Sequence, residues 1–523
     1  MSTEAQTGKP TGQSEVAIVA RNVSTRYMSI AAEMLIGLVM LPFNLAHLGA
    51  AQYGLWVLLG SVTAYLSVLD LGYGGATVKF IAQYHARRNT AAMNEIASTM
   101  FFVFAALGLL AYGATAVLAF NLEHVFHMTA DQARIGQWIL LIIGAHVALN
   151  FPFSVYGGVT GGLQRFDINN IVATVIAVIA AVVNAAVLLA GYPLLTLVAA
   201  TTAVRLVGYY IYRLNALRIY PELRIHPSLF RKTRLREVTG FSVYASMIDW
   251  ANKLNYQLDA VVIGVFFGSA SVGVWAVAER IIAGTQRLTN QLNGVLFPMI
   301  VHSDASQREE MLQRILLHGT LLSLAMVVPI SATLFVLADP LVHAWVGPEM
   351  RGSVPVIQIL SVAVAIRVGN ATATTLLKGA GQHRTLAWIN LGTALVNILL
   401  SVLLIKPLGL SGVAIGTLVP IALSSIFIVQ PAACRRVGLP LSRAITQSVL
   451  PAIWPGFIAA GLLAATRRIS SGTLLAVVMQ AALAGAVYFA LFFGFAISRK
   501  DRRYYMGKAL ELTGRRRPLP TPA

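Results

Sequence analysis

The chain has 523 residues, of which 57% are hydrophobic and 11% charged, and its mean hydropathy is +0.71. Soluble globular domains carry about 25% charged residues, so this composition excludes a soluble enzyme and indicates a polytopic membrane protein. The single cysteine, Cys434, excludes an internal disulfide and a cysteine-rich metal cage. The net charge of +19 does not indicate nucleic-acid binding, because the basic residues lie in short loops between apolar segments.

Apolar segments long enough to cross a bilayer, about 20 residues each, follow one another along nearly the whole chain. We therefore predict an all-α membrane protein with about fourteen transmembrane helices. The predicted spans are 24–47, 54–78, 96–120, 136–157, 168–190, 193–213, 241–267, 272–299, 312–337, 354–377, 386–405, 409–433, 446–466 and 472–497.

Basic residues are distributed unevenly between the two sides of these spans. With fourteen spans, 29 of the 39 Lys and Arg residues fall on the side of the termini, five fall on the other side, and five lie within spans. The positive-inside rule then predicts a multi-pass membrane protein with both termini cytoplasmic. Arg467 and Arg468 are the exception to this bias, since the pair falls on the side opposite the termini. Residues 1–20 are predicted to form a disordered cytoplasmic tail and residues 499–523 a basic one.

An internal repeat is visible at an offset of 219 residues. The motif from Gly49 to Trp56 (GAAQYGLW) matches Gly268 to Trp275 (GSASVGVW) at four of eight positions, and Gly162–Arg165 matches Gly381–Arg384 at the same offset without a gap. The predicted organisation is an N-lobe of six spans, a basic connector, a C-lobe of six spans and two further spans: residues 21–213, 214–240, 241–433 and 434–498. Because each half contains an even number of spans, the two lobes are parallel repeats.

Motifs of soluble enzymes are absent from the sequence. It contains neither a G-x-x-x-x-G-K-[ST] phosphate loop nor an H-E-x-x-H zinc motif. Four histidines, His47, His146, His318 and His343, have no partner at ligand spacing. We therefore predict no catalytic residue, no metal site and no cofactor.

Two predicted spans carry polar residues at mid-depth. In span 8 the residues Glu279, Gln286, Asn290 and Asn293 share one helical face, and Arg280 and Arg287 lie beside it. Span 7 has a similar arc of polar residues on its surface, which consists of Asp249, Asn252, Lys253, Tyr256 and Asp259. Such residues are costly in hydrocarbon, so the two arcs predict a water-filled cavity. Alternatively the charges neutralise one another, as the i,i+4 spacing of Asp249 and Lys253 allows.

Four cations are specific to the second half of the repeat. Subtracting 219 maps Lys253, Arg280, Arg287 and Arg367 onto Met34, Ser61, Val68 and Ala148. Scaffold residues tend to recur in both copies, so we predict that these four cations bind an anionic substrate. Carboxylates within spans are natural carriers of a proton or a sodium ion. The candidates for ion coupling are Glu33, Asp70, Asp259 and Glu279, although a structural role for Asp70 is equally open.

Three motifs resemble those of a known family, the polysaccharide transporters. Asp259-x-x-Val-Ile-Gly264-x-x-x-Gly268-x-x-x-Val-Gly273-x-Trp-x-x-Ala278-x-Arg280 is similar to the central signature of these O-antigen and exopolysaccharide repeat-unit flippases. Leu69-Asp70-Leu71-Gly72 followed by Lys79 resembles their second-span motif, and Gly162-Leu-Gln-Arg165-Phe-Asp167 resembles the loop after span 4. The resemblance covers about residues 22 to 500. The family belongs to the multidrug/oligosaccharidyl-lipid/polysaccharide exporter superfamily.

The resemblance implies two six-helix lobes around a central cavity that alternates between inward-open and outward-open states. It implies a cargo of undecaprenyl-diphosphate-linked oligosaccharide, membrane lipids as surroundings, proton or sodium coupling, and polysaccharide polymerases as candidate partners. Cavity cations would hold the diphosphate, since the planar fork of arginine binds two phosphate oxygens at once. Two alternatives stay open. An ion-coupled multidrug or lipid II exporter would share the fold, and a membrane polymerase or ligase would need a long extracytoplasmic loop.

Overall fold

The structure, a computed structural model, describes residues 12–126, 128–467, 473–497 and 502, and it leaves the side chains of 12–20, 68, 240–257, 288, 290–292, 295 and 383 undescribed. Within these ranges all regular structure is helical, as predicted. Eleven helices of the described part are long and apolar enough to cross a membrane. Two of them, Arg21–Leu66 and Arg384–Arg436, have 46 and 53 residues, more than twice the length that one crossing needs. The count of fourteen spans stays a prediction.

The chain divides into two compact units, the first ending at Ala276 and the second beginning at Val277. The helices that begin in the first unit are α1 (Gly12–Leu66), α2 (Tyr73–Ala86), α3 (Thr90–Phe120), α4 (Leu122–Phe126), α5 (Ala130–Gly162), α6 (Phe166–Leu189), α7 (Leu194–Ile219) and α8 (Lys232–Ala305). Helix α8 continues into the second unit. Its start at Lys232 lies within the predicted connector, and the start of α1 lies within the predicted tail.

The second unit contains the remaining helices: α9 (Glu309–Val336), α10 (Ala338–Val346), α11 (Ser353–Gly369), α12 (Ala371–Gly379), α13 (His383–Leu423), α14 (Gln430–Arg436), α15 (Leu441–Ala444), α16 (Leu450–Thr466) and α17 (Leu474–Leu491). Three short segments are wound as π-helix: Ser424–Val429, Ile445–Val449 and Phe492–Ala496. The apolar core here packs α9 and α11 against α16 and α17.

Glycines with positive φ divide the three longest helices. Gly49 in α1 has φ 71°, Gly268 in α8 has φ 74° and Gly409 in α13 has φ 61°. This backbone region is disfavoured for residues with a Cβ atom but open to glycine, which explains why the chain turns at these positions. Gly49 and Gly268 are the first residues of the repeated motif, so the repeat has the same backbone conformation in both copies.

The offset of 219 continues through the next loop of each copy. Helix α2 ends at Ala86 and α8 ends at Ala305, 219 residues later. Two residues further on, Arg88 and Gln307 have the positive φ angles 53° and 52°. The structure therefore supports the internal duplication at positions where the sequence letters differ.

The second motif of the repeat was aligned wrongly by two residues. Helices α5 and α12 end at Gly162 and Gly379, an offset of 217. A methyl group built on either glycine would lie 2.6 Å from Cγ2 of an isoleucine, Ile81 in the first copy and Ile300 in the second. Gly162 thus corresponds to Gly379 rather than to Gly381.

This shift changes the counterpart of one predicted site residue. With an offset of 217, Arg367 corresponds to Asn150 and not to Ala148. The position is therefore polar in both copies, and only its positive charge is specific to the second.

A close backbone contact joins the two copies of the first motif within the first unit. A methyl group built on Gly54 would lie 1.8 Å from the Ser269 carbonyl oxygen, and one built on Gly273 would lie 2.4 Å from the Ala50 carbonyl oxygen. Adding 219 converts Ala50 and Gly54 into Ser269 and Gly273, so the contact is reciprocal. Gly54 and Gly273 occupy the same position in the two copies, and the lack of a side chain at both allows the helix backbones to approach closely.

The basic segment after α7 packs against the start of α3. Asn94 donates from Nδ2 to the Glu222 carbonyl oxygen at 2.9 Å and accepts from the Arg224 backbone N–H at 3.0 Å. Arg234 pairs with Glu95 at 3.0 Å and with Glu237 at 3.2 Å. Part of the basic charge in the predicted connector is therefore neutralised by protein carboxylates and is not available to a membrane surface.

Candidate functional site

The part of α8 that follows Val277 carries one stripe of residues spaced by seven. Glu279, Gln286, Asn293 and Ile300 lie on one face, because seven residues are close to two helical turns. The far end of this stripe contacts α12. Thr372 Oγ1 donates to Asn293 Oδ1 at 3.4 Å, and Gly379 packs against Ile300.

These two contacts set the register between α8 and the α11–α12 pair. Both join residues 79 positions apart, so the helices run in parallel at this offset. Counted along both helices at this offset, Arg287 corresponds to residue 366, next to Arg367. The register therefore predicts that two of the candidate cations lie at a similar depth.

The ionisable residues of α8 and α11 in this region differ in burial. Arg280 and Arg287 are exposed, whereas Arg367 and Glu279 are half-buried. Glu279, Arg287 and Arg367 each interact with another group of the protein. A guanidinium has five N–H donors, so an arginine that holds one protein partner can still bind phosphate oxygens. With three arginines and one carboxylate, this cluster has a formal excess of positive charge. We call Arg280, Arg287 and Arg367 the arginine cluster.

Most of the polar arc of span 7, from Asp249 to Tyr256, lies outside the described side chains. This includes Lys253, the fourth predicted substrate-binding cation, and its i,i+4 neighbour Asp249. Asp259, at the end of the arc, is described and is 7% exposed. Glu33 in α1 is half-buried. Both carboxylates take part in interactions within the structure.

Asp70 has a structural role at the start of helix α2. It ends a short 3₁₀ turn, and its Oδ1 accepts a hydrogen bond from the Gly74 backbone N–H at 3.1 Å, in the first turn of α2. Between them the chain reverses through Leu71 and Gly72, which have φ 51° and 71°. A carboxylate at a helix N-terminus satisfies an unpaired N–H and favours the helix dipole.

We expect Asp70→Ala to lower the free energy of unfolding by about 1 kcal/mol, since it removes this cap, whereas Asp70→Asn keeps an acceptor oxygen and costs less. The check is thermal unfolding of the purified protein in detergent. An ion-coupling role predicts a different pattern, in which Asp70→Asn abolishes the response of transport to a proton or sodium gradient at unchanged stability.

A pair that the sequence did not predict lies between α5 and α7. The Tyr209 hydroxyl and His146 Nε2 are hydrogen-bonded at 2.8 Å, and the two rings are stacked with centroids 5.4 Å apart. The residues are 63 positions apart in the chain, so no local spacing could have indicated the contact. His146 therefore has a partner, although it is a tyrosine and not a metal-ligand set.

Two solved structures of membrane transporters have a similar architecture. Over 90% of its length the chain is similar to the lipid II flippase MurJ in an inward closed conformation, with 98% of that chain covered, a TM-score of 0.70 and 11% identity. It is also similar to an inward-facing multidrug resistance transporter of the MATE family, with a TM-score of 0.64, 13% identity, and 80% and 98% of the two chains covered. At these identities the likeness defines the fold of the chain and no more.

Comparison with related sequences identifies the family of the chain. Residues 45–355 match the family described as "Polysaccharide biosynthesis protein", and the chain belongs to that family. It is 22% identical to a probable flippase, AglR, of Haloferax volcanii, over 86% of this chain and 89% of the relative. It is 23% identical to the succinoglycan biosynthesis transport protein ExoT of Rhizobium meliloti, over 71% of each. The resemblance to polysaccharide transporters is confirmed.

Proposed function

We propose that this protein is a flippase that moves undecaprenyl-diphosphate-linked oligosaccharide repeat units across the bacterial inner membrane, for surface polysaccharide biosynthesis. Family membership and the nearly full-length similarity to a protein named as a flippase support a transporter of lipid-linked glycans. The charge asymmetry of the loops supports cytoplasmic termini. The protein acts by alternating access, and no catalytic step is part of the proposal.

The arginine cluster is the observation that supports a diphosphate-linked cargo. The register between α8 and α12 predicts that Arg287 and Arg367 lie at a similar depth on apolar helices, where ionisable residues are costly and mark functional sites. A diphosphate presents several anionic oxygens a few ångströms apart, which two guanidinium groups bind together better than one. The polyprenyl chain is uncharged, and the diphosphate is present whatever the sugars of the repeat unit, so the diphosphate is the group that we assign to the arginine cluster.

Ion coupling is assigned to the half-buried or buried carboxylates Glu33, Asp259 and Glu279. Each could exchange a proton or a sodium ion as the protein changes state, because protonation of a carboxylate in an apolar environment removes a costly charge. Glu279 is adjacent in sequence to Arg280, so its protonation would alter the net charge of the arginine cluster directly. Polysaccharide polymerases, which consume the translocated unit, are the expected partners.

Deletion of the gene tests the function. We expect undecaprenyl-diphosphate-linked repeat units to accumulate on the inner leaflet and surface polysaccharide to be lost, with both effects reversed by the wild-type chain. Extraction of lipid-linked glycans and mass spectrometry measure the first effect. If the deletion strain instead accumulates lipid II, the lipid II alternative is correct. A strain with normal glycans but increased sensitivity to cationic drugs would indicate the multidrug alternative.

A further inference from the structure

One titratable pair in the first unit belongs neither to the arginine cluster nor to the carboxylates assigned to ion coupling. The His146 ring of α5 and the Tyr209 ring of α7 are stacked, and Nε2 and the hydroxyl are hydrogen-bonded at 2.8 Å. Phe153 follows His146 by seven residues, so it lies on the same face of α5, and it stacks on Tyr209 with ring centroids 5.7 Å apart. Two ring contacts from α5 therefore fix the orientation of Tyr209.

His146 lies at the centre of its helix. Helix α5 runs from Ala130 to Gly162, so 16 residues separate His146 from either end. That distance is about 24 Å of helix on each side, against a hydrocarbon thickness of about 30 Å for the whole bilayer. A helix of this length places His146 near the middle of the membrane. Groups at this depth can be reached from either side when a transporter changes state, and sites for coupling ions lie near the midplane.

The Tyr209 hydroxyl has two acceptors within reach. Besides His146 Nε2, the His146 carbonyl oxygen lies 3.3 Å from the hydroxyl oxygen. With a neutral imidazole, the hydroxyl donates to Nε2. With an imidazolium, Nε2–H donates to the hydroxyl oxygen, and the hydroxyl proton turns to the carbonyl oxygen, which has a second lone pair available. Both protonation states of His146 are therefore hydrogen-bonded without movement of a heavy atom.

The charge closest in effect to this pair is that of an arginine. Arg205 of α7, one turn before the tyrosine, is exposed, and its charge acts on the His146 ring. Among the described side chains, α3 adds only the neutral Tyr112 in its central part, α6 has Asp167 in its first turn, and α1 adds the half-buried Glu33. Helices α2 and α4 contact α5 near its two ends. Because like charges repel, a proton on His146 acts directly on Arg205.

The pair borders a polar surface. Asn150, one turn after His146 on the same face of α5, is exposed, as is Arg205, and His146 itself is half-buried. An exposed amide and an exposed guanidinium on apolar helices are costly against lipid, so they indicate contact with water. Asn150 is also the repeat counterpart of Arg367. This face of α5 therefore corresponds to the face of α11 that contributes to the arginine cluster.

From the central position, the two alternative hydrogen bonds and the contact with water, we propose that His146 is a proton-binding group of the transport cycle and that Tyr209 is its positioning residue. Nε2 takes a proton from water in one state and returns it to water in the other, while the Tyr209 hydroxyl keeps its own proton and only changes acceptor. The ion is a proton rather than sodium, because an imidazole nitrogen accepts protons whereas hard cations prefer oxygen ligands.

This inference rests on the proposed flippase function and adds a group of the first unit to the carboxylates named there. The first measurement detects the bound proton without transport. Full-length protein with isotope-labelled histidine is reconstituted in lipid, and nitrogen NMR spectra, which distinguish imidazole from imidazolium, are recorded from about pH 4 to about pH 8. The His146 signal is identified by its loss in His146→Gln.

We expect the His146 signal to change from imidazole to imidazolium within this range. In Tyr209→Phe, which keeps the ring stack but removes the hydroxyl, the change should occur at a different pH, because the imidazolium loses its acceptor. A His146 signal that stays neutral throughout, or that titrates identically in Tyr209→Phe, would overturn the inference.

The second measurement is translocation in liposomes with a gradient of about one pH unit, acidic outside. Coupling to one proton makes this gradient worth about tenfold in the final distribution of the cargo between the leaflets. We expect that response from the wild-type chain and a response of about twofold or less from His146→Gln. His47→Gln is the matched control, because His47 is an exposed histidine of the same unit whose ring is hydrogen-bonded within its own helix, to the Phe43 carbonyl oxygen at 2.8 Å. It should respond like the wild type.

Equal responses of the wild-type chain and His146→Gln would overturn the inference, as would a wild-type chain that moves the cargo without responding to the gradient. A wild-type chain that moves no cargo under any gradient would contradict the proposed function instead. The NMR titration then tests the proton site separately.

Discussion

We expect Gly54→Ala to be among the most destabilising single changes in this protein, with a loss of about 3 kcal/mol in the free energy of unfolding. The new methyl group would lie 1.8 Å from the Ser269 carbonyl oxygen and 2.7 Å from the Gly273 backbone nitrogen. Both neighbours are backbone atoms, so no side chain can rotate away and the two helices must separate. The measurement is thermal unfolding of the purified protein in detergent.

Gly273→Ala should have a similar effect, because the reciprocal contact to the Ala50 carbonyl oxygen is 2.4 Å. The double variant should lose much less than the sum of the two single losses, since one separation of the helices relieves both clashes. Gly60→Ala is the control on the same helix. A methyl group there meets no atom within 4 Å, and the higher helix propensity of alanine should leave stability unchanged or slightly increased. Equal stabilities for Gly54→Ala and Gly60→Ala would contradict the close contact.

The second large effect is expected in the arginine cluster. Arg287→Ala and Arg367→Ala should each lower translocation about tenfold or more, because each removes charge-assisted hydrogen bonds to the diphosphate. Arg287→Lys should retain part of the activity, since lysine keeps the charge but not the planar fork. Arg280→Ala tests the third member. Surface polysaccharide and inner-leaflet repeat units are quantified in the deletion strain that expresses each variant.

Arg351→Ala is the matched control for charge removal, because Arg351 is an exposed arginine of the same unit that pairs with Asp339 at 3.3 Å outside the apolar spans. It should leave polysaccharide output unchanged. Membrane levels of all variants are compared by immunoblot. Normal output from Arg280→Ala, Arg287→Ala and Arg367→Ala at normal protein levels would show that the arginine cluster does not bind the cargo.

The sequence predicted the all-helical class and the duplication because both depend on local signals. Apolar length defines a span, and a glycine at positive φ recurs where the backbone needs it, as at Gly49 and Gly268. The second motif was misaligned because the turn after α5 and α12 requires a left-handed residue rather than a particular amino acid. Gln164 fills that position in the first copy and Gly381 in the second, with φ 59° and 77°.

Tertiary register could not be predicted in the same way. The sequence identified Arg287 and Arg367 separately, and their relative depth follows only from the register that the contacts of Asn293 and Ile300 with α12 define.

The most direct test of the proposed function is translocation by the purified full-length chain in liposomes. Undecaprenyl-diphosphate oligosaccharide is placed in the inner leaflet, and its sugar is detected by a lectin added outside. We predict that the wild-type chain makes the sugar accessible, that Arg287→Ala and Arg367→Ala slow this about tenfold, and that a neutral glycolipid with the same sugar is not moved. Exposure of the neutral glycolipid at the same rate, or no exposure of either lipid by folded wild-type protein, would contradict a diphosphate-recognising flippase.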